Sequence, residues 1–123
     1  MPAQPCLDHV QIAAPRGCEA QARWFYGSVI GLPELDKPAS LRARGGAWFA
    51  LADAQLHIGV EEQFAPARKA HPALRWTDAD LEAVAERLVR AGTLPRWDEE
   101  IPGIRRFFVD DPWGNRLEFL AAA

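Results

Sequence analysis

Apolar and polar residues alternate in some segments of the chain, and in others apolar residues recur at helical spacing. Residues 7–13 (LDHVQIA) alternate, which predicts a strand. Residues 18–30 carry apolar side chains at helical spacing and are followed by Gly31, so they predict one amphipathic helix. Extended segments are predicted next at residues 34–37, 47–51 and 54–61. The first half is therefore predicted to contain a strand, a helix and three strands.

The second half repeats this order of elements. Residues 71–76 predict a short strand, and Thr77 with Asp80 has the form of a capping box at the start of a helix. Apolar residues then recur at i, i+3, i+4 and i+7, from Leu81 to Leu88. Three more extended segments are predicted, at residues 95–98, 105–110 and 116–120.

The two halves also share a register. His71 lies 62 positions after His9, and Glu118 lies 61 positions after His57. The sequence therefore predicts an α+β fold built as two tandem βαβββ modules. The boundaries expected for these modules are residues 5–62 and 70–121, within a single domain that spans 1–123.

Composition limits the classes of function. The chain has 123 residues, a net charge of −3, and 14 basic residues scattered among 17 acidic ones, which argues against nucleic acid as a partner. No apolar run is long enough to cross a membrane, and the N-terminus lacks the features of a signal peptide, so a cytoplasmic location is expected. The two cysteines are expected to be free thiols.

All three histidines of the chain occupy repeat-related strand positions. Side chains alternate between the faces of a strand, which puts His9, His57, His71 and Glu118 on the face away from the helices. Imidazole nitrogens with a carboxylate oxygen suit Zn, Fe, Ni, Mn or Co. The shared spacing therefore predicts a divalent metal site.

Three segments carry a resemblance to a known superfamily: LDHVQIA near the start, LHIGV at the centre and DPWGNRLEF at the end. They resemble the glyoxalase, bleomycin-resistance and extradiol-dioxygenase proteins, also called vicinal-oxygen-chelate proteins. The resemblance implies a curved, cup-like mixed sheet and often a homodimer with exchanged modules. It also implies that the metal ligands come from the first and last strands of each module. In this sequence those ligands would be His9, His57, His71 and Glu118.

The sequence departs from part of this superfamily at His57. Members that resemble glyoxalase I usually have a glutamate there, which moves the substrate proton, and an imidazole does not supply that carboxylate. His57 is expected either to bind the metal or to act as a general base. His57 and Glu118 are thus the candidate catalytic residues.

Strand parity also selects candidate substrate-binding residues. Arg106 and Phe108 fall on the face of Glu118, and Arg106 is the expected anchor for a carboxylate or phosphate. Gln11 and Phe49 are expected to form walls of the cavity.

The function expected from these features is a metal-dependent lyase or isomerase. Its small substrate would chelate the metal through two adjacent oxygens. Two alternatives remain open at this point. One is a metal-independent drug-binding protein that resembles the bleomycin-resistance members, and the other is an extradiol-type dioxygenase.

Overall fold

A computed structural model of the protein describes residues 3–122, so the expected domain, 1–123, includes three residues outside this range. In the first half, the elements are β1 (His9–Ala14), α1 (Glu19–Ala22) with a continuing π-helical segment (Arg23–Val29), β2 (Glu34–Leu35), α2 (Ala39–Arg42), β3 (Ala47–Ala50) and β4 (Gln55–Val60). In the second half, they are β5 (Ala73–Arg75), α3 (Asp78–Arg90), β6 (Arg96–Asp98), β7 (Ile104–Asp110) and β8 (Arg116–Ala122).

The strands form two four-stranded mixed sheets of identical topology. Their orders are β1-β4-β3-β2 and β5-β8-β7-β6, with the first pair of each sheet parallel and the other pairs antiparallel. Gln11 pairs with His57 in the first sheet, and Ala73 pairs with Glu118 at the equivalent place in the second. The predicted α+β fold with two repeated modules is confirmed, although the strands hydrogen-bond as two sheets rather than one.

One hydrophobic core joins the two halves. The π-helical segment packs on the first sheet and α3 packs on the second, and their buried apolar residues share a single cluster with alternate residues of the strands. Its largest fully buried members are Tyr26, Phe25, Phe49, Phe107 and Phe119. Because this face of each sheet is filled by the core, the polar residues at alternating positions lie on the opposite face.

Backbone groups are hydrogen-bonded at both ends of α3, and the bond at its start confirms the predicted capping box. The Thr77 hydroxyl accepts a hydrogen bond from the backbone N–H of Asp80 at 3.2 Å, as the capping box requires. The helix ends at Arg90, and Gly92, just beyond its C-cap, has a φ of +87° and donates its N–H to the carbonyl of Val89.

Three local features differ from the sequence prediction. The helix predicted at 18–30 changes to π geometry, as the bond from the Ile30 N–H to the Phe25 carbonyl shows. Helix α2 was not predicted, because four residues carry too little periodicity. The strand predicted at 71–76 is shorter, and His71 lies before β5, separated from it by Pro72, which has no N–H to donate.

Within residues 3–122, no helix is both long and apolar enough to span a lipid bilayer.

Candidate metal and substrate site

His9 and His57 lie together on the polar face of the first sheet. Their rings stack with centroids 4.4 Å apart and planes 17° apart. Trp48, the cross-strand partner of His57, stacks on the other side with centroids 4.0 Å apart and planes 3° apart. The three rings therefore form one aromatic stack, in which His57 is the buried central member.

Each histidine of this stack has one ring nitrogen held by an oxygen. Nδ1 of His9 lies 2.8 Å from a carboxylate oxygen of Asp8, so it carries the proton and leaves Nε2 basic. Nε2 of His57 lies 2.8 Å from the amide oxygen of Gln55, which leaves Nδ1 as its basic nitrogen. Burial, and then the nearby His9, lower the pKa of His57, which favours the neutral imidazole.

His71 and Glu118 form a second pair on the polar face of the second sheet. Nδ1 of His71 lies 2.8 Å from the carbonyl oxygen of Lys69, which can only accept, so Nδ1 carries a proton. Nε2 lies 3.0 Å from Oε1 of Glu118. The ring is held for ligation by the same kind of oxygen partner that orients metal-binding histidines.

Arg106 holds the other oxygen of Glu118. Its guanidinium lies 3.5 Å from Oε2 of Glu118 and 3.2 Å from Asp98, and only 15% of its side chain is exposed. Phe108 pairs with Glu118 across β7 and β8, and its ring meets that of His71 edge to face at 5.6 Å. Arg106 and Phe108 therefore lie on the predicted face, where they fix the position of Glu118.

The structure brings the four predicted ligands together as two separate pairs. Within residues 3–122, no group of three or more His, Cys, Asp or Glu side chains is close enough to hold one ion. His9 and His57 belong to one sheet, and His71 and Glu118 belong to the polar face of the other. Each pair supplies donors of a chemistry that suits a divalent metal, and the two pairs lie on different sheets.

Of the two predicted cavity walls, Gln11 is exposed on the polar face and its side chain lies over Gly59. The cavity-wall prediction for Phe49 is wrong, because its side chain is fully buried and packs against Tyr26 in the core. The alternation of β3 instead directs Trp48 toward His57. The register of β3 with β4 would have selected Trp48, but sequence reasoning did not align those two strands.

Comparison with solved structures finds proteins that are similar to this chain over nearly its whole length. A glyoxalase family protein from Bacillus anthracis is 42% identical to this chain, with a TM-score of 0.93 over 100% of this chain and 99% of its own. A lactoylglutathione lyase from Agrobacterium tumefaciens is 17% identical, with a TM-score of 0.73 over 96% of this chain and 94% of its own.

The fosfomycin resistance protein FosX from Listeria monocytogenes is 15% identical, with a TM-score of 0.75 over 98% of this chain and 96% of its own. At this identity, the lyase and FosX share the fold alone. No family model matches the chain, and a search of curated proteins found no match either.

The duplicated mixed sheets, each with ligand-type side chains on its polar face, define a protein of the vicinal-oxygen-chelate superfamily. Given its full-length similarity to the Bacillus anthracis protein, the chain belongs to the glyoxalase family.

Proposed function

We propose that this protein is a metal-dependent enzyme of the lyase or isomerase type that works as a homodimer. Its site would combine His9 and His57 of one copy with His71 and Glu118 of the second copy. The substrate would be a small molecule with two adjacent oxygens. A divalent metal bound there, such as Zn, Fe, Ni, Mn or Co, would supply Lewis-acid chemistry to those oxygens.

The observation that carries this proposal is the way His9 and His71 are held. In both residues Nδ1 is fixed by an oxygen, from Asp8 in one case and from the Lys69 carbonyl in the other. This arrangement directs Nε2 of each ring away from the backbone, and it is typical of metal-binding histidines. Glu118 adds a carboxylate beside His71. His9, His71 and Glu118 thus supply a set of two histidines and one glutamate.

A different role is proposed for His57. Ring lone pairs lie in the ring plane, and the planes of His9 and His57 are nearly parallel, with centroids 4.4 Å apart. An ion about 2 Å from a nitrogen of one ring therefore lies too far from the other ring's plane to bind both. The stack favours His57 as a general base, whose Nδ1 accepts the substrate proton. Gln55 and Trp48 keep that ring in place.

Metal uptake tests these assignments. Untagged protein is stripped with a chelator and reconstituted with each of the five metals, and bound metal is measured by plasma mass spectrometry. We expect close to one equivalent per chain in the wild type, a loss of about 10-fold or more in affinity in His9→Ala, His71→Ala and Glu118→Gln, and retention of metal in His57→Ala. Loss of metal in His57→Ala would make it a fourth ligand.

The same preparation separates the alternative functions. Uptake below about a tenth of an equivalent in the wild type would contradict the metal-dependent proposal. Thermal stabilisation by bleomycin-like compounds that is indifferent to chelators would then favour a drug-binding protein. Turnover of catechols with ferrous iron would instead indicate an extradiol-type dioxygenase.

A further inference from the structure

Three arginines line a groove of about 540 Å³, and one of them, Arg116, also lines a neighbouring cavity together with His71. Arg116 precedes Glu118 by two residues in β8, so both side chains lie on the same face of the strand. Arg96 belongs to the edge strand β6, which pairs with β7, and Arg68 comes from the segment that precedes β5. The groove is therefore continuous with the polar face that carries the proposed metal ligands.

The charge of this groove is not balanced by its own residues. Arg96 pairs with Asp110 at 3.0 Å, the one carboxylate that lines the groove. Across the described range 3–122, neither Arg68 nor Arg116 takes part in an ion pair. The groove is thus cationic on a chain whose net charge is −3.

Arg116 is held in a fixed position although it has no acidic partner. The central carbon of its guanidinium lies 4.2 Å from the ring centroid of Phe108, so the charged group is stacked on the ring. Its Nε is shielded from solvent and, among residues 3–122, has no hydrogen-bond partner. An unsatisfied buried donor costs free energy, and an added acceptor would remove that cost.

Arg106, the anion anchor predicted from the sequence, differs from Arg116 because it has acidic partners. It already contacts Asp98 and Glu118, so a substrate anion would compete with two carboxylates. We propose that Arg116 and Arg68, with Arg96 at the rim, bind an oxyanion of the substrate, either a carboxylate or a phosphate group. This inference rests on the proposed function, because it takes the groove as part of the same substrate site.

The planar guanidinium of Arg116 presents paired N–H donors that match two oxygens of a carboxylate or phosphate. Pro66 and Trp113 also line the groove. They provide an apolar surface for the carbon atoms next to the anion. The substrate class that fits is therefore a small molecule with a chelating pair of oxygens at one end and an anionic group at the other.

Inorganic phosphate is the probe for this site. It is titrated by calorimetry into chelator-treated, full-length protein, with sodium chloride added to keep the ionic strength constant. We expect saturable binding, about tenfold weaker in Arg116→Gln and about threefold weaker in Arg68→Gln. Arg90→Gln is the matched control, since Arg90 is exposed on α3 and outside the groove, and its affinity should equal that of the wild type.

Non-saturable heats in the wild type, or equal affinities in all three variants, would overturn the inference. Circular dichroism checks that each variant folds. If loss of the stacking on Phe108 unfolds Arg116→Gln, the exposed Arg68 still decides the matter, because unchanged affinity in Arg68→Gln contradicts the site.

Metal uptake by Arg116→Gln is measured in parallel and should match the wild type, because Arg116 is not a proposed ligand. Phosphate binding that depends on Arg116 in a protein that takes up no metal would support the anion site and contradict the proposed function. Metal uptake without phosphate binding would do the reverse.

Discussion

The hydroxyl of Tyr26 donates a 2.7 Å hydrogen bond to Asp111, and both side chains are buried. Tyr26 belongs to the π-helical segment of the first half, and Asp111 opens the turn before β8 in the second. Asp111 also accepts hydrogen bonds from the backbone N–H groups of Trp113 and Asn115. This single carboxylate therefore ties the first half to the turn that sets the start of the strand carrying Glu118.

Tyr26→Phe is expected to lower the free energy of unfolding by about 1–3 kcal/mol at neutral pH, because a buried carboxylate loses a donor. Burial raises the pKa of Asp111 above its usual 3.8. A group whose pKa is raised by folding stabilises the protein most at a pH below its pKa in the unfolded chain. This stabilisation is lost as the pH rises through its pKa in the folded protein. The hydrogen bond from Tyr26 stabilises the ionised form of Asp111 and so offsets part of that loss. The decrease in the free energy of unfolding caused by Tyr26→Phe should therefore be smaller in acid.

Urea denaturation of Tyr26→Phe across a pH series measures this penalty, with Arg90→Gln as an exposed control. A penalty that stays constant from neutral pH into acid would contradict the role given to the ionised Asp111.

Glu19 is expected to stabilise the protein at neutral pH through its contact with Gly46. The Gly46 N–H donates a 2.6 Å hydrogen bond to this carboxylate, and that bond is the main reason the pKa of Glu19 lies below its usual 4.5. A lowered folded-state pKa gives stability above 4.5 that is lost as the pH falls through the folded pKa. Glu19→Gln should therefore cost about 1–2 kcal/mol at pH 7 and much less in acid.

Glu86→Gln is the matched control for Glu19, since Glu86 is exposed on α3 and its nearest cation, Arg90, is 3.8 Å away. Equal denaturation curves for the Glu19 and Glu86 variants at neutral pH would refute the prediction.

Gly46→Ala is expected to destabilise the protein severely, by about 3 kcal/mol or more. Gly46 has a φ of +85°, and an added Cβ would lie 2.0 Å from the carbonyl oxygen of Ile58. Gly103 has a similar φ of +79°, but a Cβ there would meet no atom within 4 Å. Gly103→Ala should therefore cost only the backbone strain, about 1–2 kcal/mol. The difference between the two in urea denaturation isolates the clash, and similar losses would contradict it.

The repeated fold could be predicted because its signals are local and occur twice. The positions of His57 and Glu118 share a register offset with core neighbours, and Thr77 marks the start of α3 on its own. The π geometry after Ala22 could not be predicted, because the spacing of apolar residues does not distinguish an α-helical turn from a π-helical turn. The shortening of β5 follows from Pro72, a signal that was present in the sequence.

The candidate site was only partly predictable. Strand parity selected the polar-face positions of His9 and Glu118, but it did not show that the ligands would lie as two pairs on two sheets. Phe49 was misplaced because the register between β3 and β4 depends on pairing across the sheet, which puts Trp48 beside His57. The partners of Arg106 also come from other strands, so its ion pairs with Asp98 and Glu118 required the structure.

The most direct test of the proposed two-copy site is subunit complementation. One variant carries His9→Ala with His57→Ala, the other carries His71→Ala with Glu118→Gln, and the two are mixed under conditions that exchange subunits. Each variant alone should bind no metal, whereas the mixture should recover about a quarter of the wild-type sites, because a mixed dimer has one intact site. Mixed dimers that form and yet bind no metal would contradict the account.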